Sequence, residues 1–512
     1  MNRNTHKTMN RNLLNLAILA ALYGVSGNVI ADNSTVTVNV SGNNQALTID
    51  QTGSASDAAT VTQSSGNYNT DTISQQGSYN NQANIQQGIN GGASNNSSVD
   101  IEQQGSNNNN ATVTQGSGAY YYWWWWEGNQ QSYNNRATIL QQNSDHNTAT
   151  INQANGYSGE TSNSSATIDQ QYSDSNTATV NQGGNWSNTD SSNADINQEN
   201  SRNNTATINQ GINGNSSSSN TAHIDQSGSA YNTATATQNY SGQSVSVTQR
   251  GSYDTSNSDQ EGTGNTAVVD QPGLQNTSNL NQNGNSGHAT IIQLGYANNS
   301  TLNQAGNSNT AQVVQSGDFG SATTTQNGDF SSAAITQNSN NETATVTQNG
   351  GGSGNQATVT QGGYNLSSNL NTASITQNGT NSSATVSQDD NNYYTNSTAT
   401  VTQNPGNNNQ ATIAQGAQSA GYANTAAITQ TSDDNTAGIT QNGQWNNATI
   451  TQNSFEGNTS VNTATIEEYG NNNTASINQN GAGNWADVVQ ASNGNTANIT
   501  QNGSNNTFTI HQ

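Results

Sequence analysis

Nearly the whole chain consists of one short motif, Asn-x-Ala-x-Ile/Val-x-Gln, repeated in series. The segment NTATINQ at Asn147–Gln153 returns unchanged at Asn204–Gln210. From Gln238 to Gln348 the closing glutamine recurs at a constant interval, ten times running, and with weaker units the chain holds 37 copies. A short fixed period is typical of solenoids and arrays, so the repeat has to be interpreted before any single residue.

Within one unit, alternate residues differ in character. Thr, Ile and Val favour strands, and Asn-Gly or similar turn residues follow the closing glutamines, as at Asn442-Gly443. In a strand, every second residue lies on the same face. The sequence therefore predicts an all-β fold, a two-sheet β-solenoid whose strand–turn–strand coils take about 22 residues.

Stacked coils would bring identical side chains together at intervals of about 4.8 Å. An amide has both donors and an acceptor, so a buried column of Gln or Asn can bond to itself, while Ala and Ile fill the rest of a thin core. The residues predicted to face inward and carry self-assembly are Asn147, Ala149, Ile151, Gln153, Asn204, Ala206, Ile208, Gln210, Asn446, Ala448, Ile450, Gln452, Gln501 and Gln512.

The composition fits such a stack better than ordinary globular domains. Hydrophobic residues are 28% of the chain and charged residues 7%, whereas a globular core normally draws on a chain that is about half apolar. Disordered chains usually carry many charges. The surplus of Asn, Gln, Ser and Thr suits stacked amide ladders.

The N-terminus has the pattern of a secretory signal. A basic stretch precedes the apolar segment Leu13–Val25, which is too short to span a bilayer as a helix, and small residues follow. The sequence predicts a signal peptide at 1–31 that is cleaved between Ala31 and Asp32, with an uncleaved anchor as the alternative. A short N-terminal segment at 32–44 and a repeat solenoid at 45–512, with an aromatic insert at 116–134, would follow.

The charge after residue 31 argues against nucleic acid as a partner. Three arginines stand against 30 acids, a formal net charge of −27. Phosphate binding needs clustered Lys or Arg. The chain has no Cys, so no disulfide framework holds it together.

The lengths of the steps between closing glutamines carry further information. From Gln87 to Gln238, short steps such as Gln103 to Gln115 alternate with longer ones such as Gln115 to Gln141. Because alternate turns lie on opposite edges of a two-strand coil, the extra residues would decorate one edge. Past Gln348 the alternation changes parity, which is compatible with a change of edge or with a degenerate unit that restores the first edge.

The segment QNGQWNNATITQ at Gln441–Gln452 resembles the curlin repeat, a strand–turn–strand unit with the pattern Gln-x-Gly-x-x-Asn-x-Ala-x-x-x-Gln. Gln348–Gln361 is similar with a longer turn, and the resemblance covers roughly residues 42–512. Curlin proteins are subunits of curli, the amyloid surface fibres of Gram-negative bacteria. The resemblance implies an unusually long subunit of a secreted, extracellular cell-surface fibre (pilus-like), serving cell adhesion and biofilm matrix. Its implied partners are copies of itself, a nucleator subunit and an outer-membrane secretion channel.

The last unit, NTFTIHQ, closes on Gln512. Solenoids that stay soluble need capping ends, and an outer strand presents unpaired N–H and C=O groups to another chain. The sequence therefore predicts end-to-end growth by strand stacking.

One insert stands apart from the repeat. Seven aromatic residues could contact surfaces or matrix polysaccharide; they are Tyr120, Tyr121, Tyr122, Trp123, Trp124, Trp125 and Trp126. The alternative is a tolerated loop, or a degenerate unit with Glu127 in the glutamine position.

The sequence predicts no enzyme, metal site or cofactor. Metal ligands converge at short spacing, whereas the histidines are isolated, at His6, His146, His223, His288 and His511. The acid pairs Asp389-Asp390 and Asp433-Asp434 fall in turns, and no nucleophile, base and orienting group stand out.

Two other functions remain as alternatives. Outward Thr-x-Thr columns, such as Thr343, Thr345 and Thr347, could order ice-like water, although the array is interrupted at Asn152, Asp169, Asn181 and Asn197. A calcium-dependent adhesin is the second alternative, with turn carboxylates as weak calcium ligands.

Overall fold

A computed structural model describes residues 33–89, 93–117, 131–155, 160–183, 188–212, 217–349, 353–362, 370–388, 396–416, 423–453 and 461–512. Over these ranges the chain is a stack of parallel strands joined by turns. The predicted all-β solenoid with two main sheets is confirmed, and a short third sheet is present in the first half of the chain. None of the described residues belongs to a helix long and apolar enough to cross a membrane.

Sheet 1 holds one strand from each coil, 19 in all. Its strands are Thr35–Val40, Ala58–Gln63, Gln82–Gln87, Asn110–Ser117, Thr148–Asn155, Thr177–Gln182, Thr205–Gln210, Thr233–Gln238, Thr255–Gln260, Thr277–Gln282, Asn299–Gln304, Ser321–Gln326, Thr343–Gln348, Thr372–Gln377, Thr398–Gln403, Thr425–Gln430, Asn447–Asn453, Thr474–Asn480 and Thr496–Asn502.

Sheet 2 lies opposite and also holds 19 strands. They are Ala46–Asp50, Thr70–Gln76, Ser98–Gln104, Arg136–Gln142, Ser165–Gln171, Asn193–Asn197, Thr221–Asp225, Ser244–Gln249, Thr266–Gln271, His288–Gln293, Thr310–Gln315, Ser332–Gln337, Gln356–Gln361, Ser383–Gln388, Gln410–Gln415, Thr436–Gln441, Thr463–Glu468, Trp485–Gln490 and Thr507–His511.

The register places each residue of the motif on its own copy in the next coil. Thr343–Gln348 pairs in parallel with Thr372–Gln377, so that Ala344 meets Ala373 and Gln348 meets Gln377. Burial alternates along each strand, because successive side chains point to opposite faces of a sheet. The Ala and Ile or Val side chains of both sheets form one continuous core between them.

The longer steps do lie on one edge in the first half of the chain. There they form sheet 3, six short strands between sheet 1 and sheet 2: Gly66–Asn67, Ala93–Asn95, Gln131–Tyr133, Glu160–Ser162, Asn188–Asp190 and Ser217–Ser218. Past Gln348 the long steps after Gln361, Gln388 and Gln415 lead from sheet 2 to sheet 1. The insertions therefore change edge after Gln361, and the long step after Gln452, which leads from sheet 1 to sheet 2, returns to the first edge.

The boundary predicted at residue 45 is wrong. Thr35–Val40, predicted to belong to a separate N-terminal segment, forms a strand of sheet 1 and pairs with Ala58–Gln63. The sequence pattern missed it because Val36 and Val40 stand where the motif has Ala and Gln. Alternation of valine with polar residues is itself a strand signal.

Glycines in the turns let adjacent coils approach closely. A Cβ on Gly295 would lie 1.9 Å from the carbonyl oxygen of Gly317, whereas a Cβ on Gly438 would meet no atom within 4 Å. We expect Gly295→Ala to lower the free energy of unfolding by about 1–3 kcal/mol, because backbone must move to relieve the overlap.

Gly438→Ala is the matched control, and we expect it to be neutral or to stabilise by about 0.5–1 kcal/mol. Urea unfolding followed by circular dichroism compares the two variants. Equal midpoints for both would contradict the close approach of the coils at Gly295.

Candidate functional site: the buried amide columns

The closing glutamines of sheet 1 form an unbroken column of side-chain hydrogen bonds from Gln63 to Gln501. Each Nε2 donates to the Oε1 of the glutamine in the next coil, as Gln282 does to Gln304 at 2.8 Å and Gln479 to Gln501 at 2.8 Å. Every amide points the same way, so the column has a direction: donors face the coils of higher residue number.

The second N–H of each glutamine ties the two sheets together. Gln271 Nε2 in sheet 2 donates to the backbone oxygen of Thr255 in sheet 1 at 3.2 Å, and Gln282 Nε2 in sheet 1 donates to that of Thr266 at 3.2 Å. A buried amide thus satisfies both of its N–H groups. Chains of such bonds polarise one another and strengthen together.

Asparagines at the start of the strands form further columns. Asn147 Oδ1 accepts from the backbone N–H of Asn176 at 2.7 Å, and its Nδ2 donates to Ser173 Oγ at 2.7 Å. Both partners lie in the following coil. The asparagine therefore fixes the turn of its neighbour as well as the register of its strand.

The structure places the predicted ladder residues inside the solenoid, with a single exception. In the units at 147–153, 204–210 and 446–452, each predicted residue has an exposed fraction of 1% or less. They are Asn147, Ala149, Ile151, Gln153, Asn204, Ala206, Ile208, Gln210, Asn446, Ala448, Ile450 and Gln452. Gln501 is 5% exposed. Gln512 is exposed, yet it occupies the same kind of column position in sheet 2, and its Oε1 accepts from Gln490 Nε2 at 3.1 Å.

The glutamine column of sheet 2 contains one acid. Glu468 takes the place of a glutamine and accepts from Gln441 Nε2 at 2.8 Å through Oε2. A carboxylate has no N–H to pass on to the next coil. This substitution is visible in the sequence as a departure from the motif, but the motif alone assigns it no role.

Asp71 and Asp254 are further acids buried inside the solenoid. Asp71 stands in an alanine position and accepts from Gln63 Nε2, while its Oδ1 has no hydrogen-bond partner among the described residues. Asp254 stands in an asparagine position, and its Oδ2 likewise lacks a partner within the described ranges. Burial raises the pKa of Asp71, Asp254 and Glu468 to about 7 in each case.

The histidines of the described ranges lie on the surface. His146 and His223 contact carboxylates of the next or previous coil, with Nδ1 3.5 Å from Asp174 Oδ1 and 3.0 Å from Asp195 Oδ2 respectively. The hydrogen bond with Asp195 raises the pKa of His223. Such exposed pairs contribute little to stability, and no group of three or more candidate metal ligands occurs in the described part of the chain.

Two of the predicted sites lie outside the described residues. They are the cleavage site at Ala31 and Asp32 and the aromatic insert Tyr120–Trp126. The acid pair Asp389-Asp390, a third feature of the sequence, lies outside them too. The other acid pair lies in a turn, where Asp433 Oδ1 accepts from the backbone N–H of Asn407 at 2.7 Å.

The outer faces of the sheets carry the predicted threonine arrays and their interruptions. Thr343 is exposed, and Thr345 and Thr347 are half-buried on the outside of sheet 1. Asn152 and Asn181 interrupt this face, where Asn152 Nδ2 donates to Asn181 Oδ1 at 2.9 Å. Asp169 and Asn197 pair on the outside of sheet 2.

Parallel ladders, a thin Ala and Ile core and buried amide columns define a structural β-solenoid. Residues 470–503 match the family model described as the curlin associated repeat, which confirms the resemblance predicted from Gln441–Gln452. A comparison with curated proteins gives no match. The repeat and the fold suggest a curli-like structural protein and point away from catalysis.

Proposed function

We propose that the chain is a structural subunit that stacks end to end on copies of itself, forming an extracellular amyloid fibre of the curli type. The observation that carries the proposal is the interchangeability of the coils. The inner coils present the same backbone pattern, the same amide columns and the same Ala and Ile core positions to their neighbours. At the two ends the backbone pattern is kept, with Val36 and Val40 in an alanine and a glutamine position and Phe508 in an alanine position. Two chains can therefore join by the contacts that already join coils within one chain.

The described coil of highest residue number shows which backbone groups such a joint would use. Thr496–Asn502 and Thr507–His511 each pair with a strand on one side. Gln512 N donates back to Val489 O, and Trp485 N donates forward to Asn506 O. By this alternation the N–H groups of Thr507, Thr509 and His511 point away from Trp485–Gln490, toward the side of the coil that we call the open face. Such an edge templates the addition of another strand.

Purified protein released from denaturant tests the proposal. We expect unbranched fibrils that bind amyloid dyes and diffract at ~4.7 Å and ~10 Å, the two spacings of stacked strands and packed sheets. Monodisperse protein that persists for days at micromolar concentration would contradict self-assembly.

A substitution on the open face makes the test specific. Thr509→Pro removes one outward N–H at an edge strand, where the fold itself tolerates proline. We expect seeded elongation to slow about tenfold or more, because the incoming strand loses a hydrogen bond and meets the proline ring. Thr509→Val keeps the N–H and is the matched control, expected to elongate at the wild-type rate.

The wider biological role is proposed from the resemblance to curlin repeats. We infer that the fibre lies at the surface of a Gram-negative cell and serves adhesion and biofilm matrix, with a nucleator subunit and an outer-membrane channel as partners. Export after removal of residues 1–31 belongs to the same proposal. Detection of the protein in fibres sheared from intact cells, and its absence from the periplasm, tests this localisation.

A further inference from the structure

The contact between Glu468 and Gln490 requires either a proton or a rotated amide. Gln490 Nε2 donates to Gln512 Oε1 at 3.1 Å when the column keeps its direction, and its Oε1 then faces the carboxyl group of Glu468. With its oxygen and nitrogen exchanged, the amide of Gln490 instead donates to Glu468 Oε1 at 3.1 Å. Two unprotonated oxygens cannot share a hydrogen bond, so the protonation of Glu468 selects between these arrangements.

A protonated Glu468 behaves like the glutamine that it replaces. It accepts from Gln441 Nε2 and can donate its own proton to Gln490 Oε1, so the column continues with donors facing forward. An ionised Glu468 accepts from both neighbours. Gln490 then turns and exchanges its bond to Thr474 O at 3.3 Å for a bond accepted from Ala497 N at 3.3 Å. Its Oε1 then faces Gln512, and Gln512 has to turn as well in order to donate backward.

The groups around Glu468 leave its burial as the dominant influence on its charge. Glu468 is 0% exposed, and burial raises its pKa to about 7. The titratable side chains of its own segment, Glu467 and Tyr469, bond to each other at the surface at 2.8 Å. On the strand Trp485–Gln490, Asp487 lies on the outer face near His511. The strands Thr436–Gln441, Asn447–Asn453 and Thr474–Asn480 contain no titratable residue.

The direction of this column matters at a joint between two copies. In the register used within the chain, Gln512 would meet Gln51 of the next copy in sheet 2, and Gln501 would meet Val40 in sheet 1. Gln51 Nε2 already donates to Gln75 Oε1 at 2.8 Å, so Gln51 offers its Oε1. Sheet 2 therefore carries the amide bond across the joint, and that bond needs an outward donor on Gln512.

We propose that protonation of Glu468 sets the direction of the sheet 2 glutamine column. In acid, Gln512 donates a hydrogen bond to Gln51 of a second copy, whereas when Glu468 is ionised the Oε1 of Gln512 faces the Oε1 of that Gln51. The inference rests on the proposed end-to-end assembly and assigns it an internal pH switch two coils away from the joint. Glu468, whose charge changes with pH, is buried, whereas Gln512 and Gln51, which would meet at the joint, are not titratable.

Seeded elongation of the full-length protein at about pH 5 and about pH 9 tests the switch. We expect the wild type to elongate about ten- to a hundredfold faster in acid, the effect of one hydrogen bond replaced by opposed oxygens. Glu468→Gln should elongate at the acid rate at both pH values. Glu467→Gln changes the net charge equally at the outer face, and His511→Gln removes the titratable side chain of the coil that contains Gln512; both should keep the wild-type pH response.

A pH response of Glu468→Gln equal to that of the wild type would overturn the proposal, as would a wild type with no pH response. A wild type that forms no fibre at either pH contradicts the proposed assembly instead. In that case the proposed switch is tested in the monomer, by measuring the side-chain amide ¹⁵N chemical shifts of Gln490 and Gln512 as a function of pH. These should move together with pH in the wild type and stay constant in Glu468→Gln.

Discussion

Gln315→Leu is expected to lower the free energy of unfolding of the surrounding coils by about 2–6 kcal/mol. Gln315 is 0% exposed, accepts from Gln293 Nε2 at 2.9 Å and donates to Gln337 Oε1 at 2.8 Å. Leucine has a similar size but leaves both neighbours without their partner. Each buried polar group without a hydrogen bond costs about 1–3 kcal/mol.

The same strand supplies a matched control. Gln312 is exposed on the outer face of Thr310–Gln315, and Gln312→Leu is expected to change stability by less than about 0.5 kcal/mol. Hydrogen exchange of the flanking strands measures the local effect, because a solenoid can open coil by coil. Equal exchange in the two variants would show that the column contributes nothing to stability.

Asp254→Asn is expected to stabilise the protein by about 4 kcal/mol at about pH 8 and to have little effect at about pH 4. Burial raises the pKa of Asp254 from 3.8 to about 7, so the folded state holds a proton that the unfolded chain releases. The contribution of Asp254 to wild-type stability is therefore greatest below about pH 4 and falls as the pH rises through the window from 3.8 to about 7. Asparagine keeps the shape of the side chain but does not titrate, so the variant lacks the part of the pH dependence of the free energy of unfolding that Asp254 causes.

The geometry explains why the amide should fit. In equivalent coils Asn232 Nδ2 donates to Gly251 O at 3.0 Å and Asn276 Nδ2 to Gly295 O at 3.0 Å. Asp100→Asn, on the exposed outer face of sheet 2, is the control and should leave the pH slope unchanged. Urea unfolding between about pH 4 and about pH 9 gives the comparison; parallel curves for wild type and Asp254→Asn would contradict a buried, protonated Asp254.

The strands and the columns could be predicted from the sequence because one pattern repeats many times. The alternation within NTATINQ fixes which side chains face inward, and the constant spacing of the closing glutamines fixes how coils stack. Repetition averages out the ambiguity of any single strand. The strand Thr35–Val40 could not be predicted from the motif, because valines occupy its inward positions. These valines follow the alternation of a strand but not the motif.

Other properties depend on geometry that the motif does not encode. The step lengths left two explanations for the parity change past Gln348, and only the path of the chain between the sheets shows a change of edge. The single direction of the glutamine amides in sheet 1 is likewise a property of the stack. The sequence shows Glu468 as a departure from the motif, but only the structure shows that this acid interrupts the direction of the glutamine column in sheet 2.

High-resolution electron cryomicroscopy of assembled fibres tests the central claim most directly. If coils stack between molecules as they do within one, the map will show an uninterrupted spacing of about 4.8 Å. Both glutamine columns will lie inside, with Gln512 of one chain within hydrogen-bond distance of Gln51 of the next. Fibres in which solenoids pack side by side, with the faces at Gln51 and Gln512 turned to solvent, would contradict it.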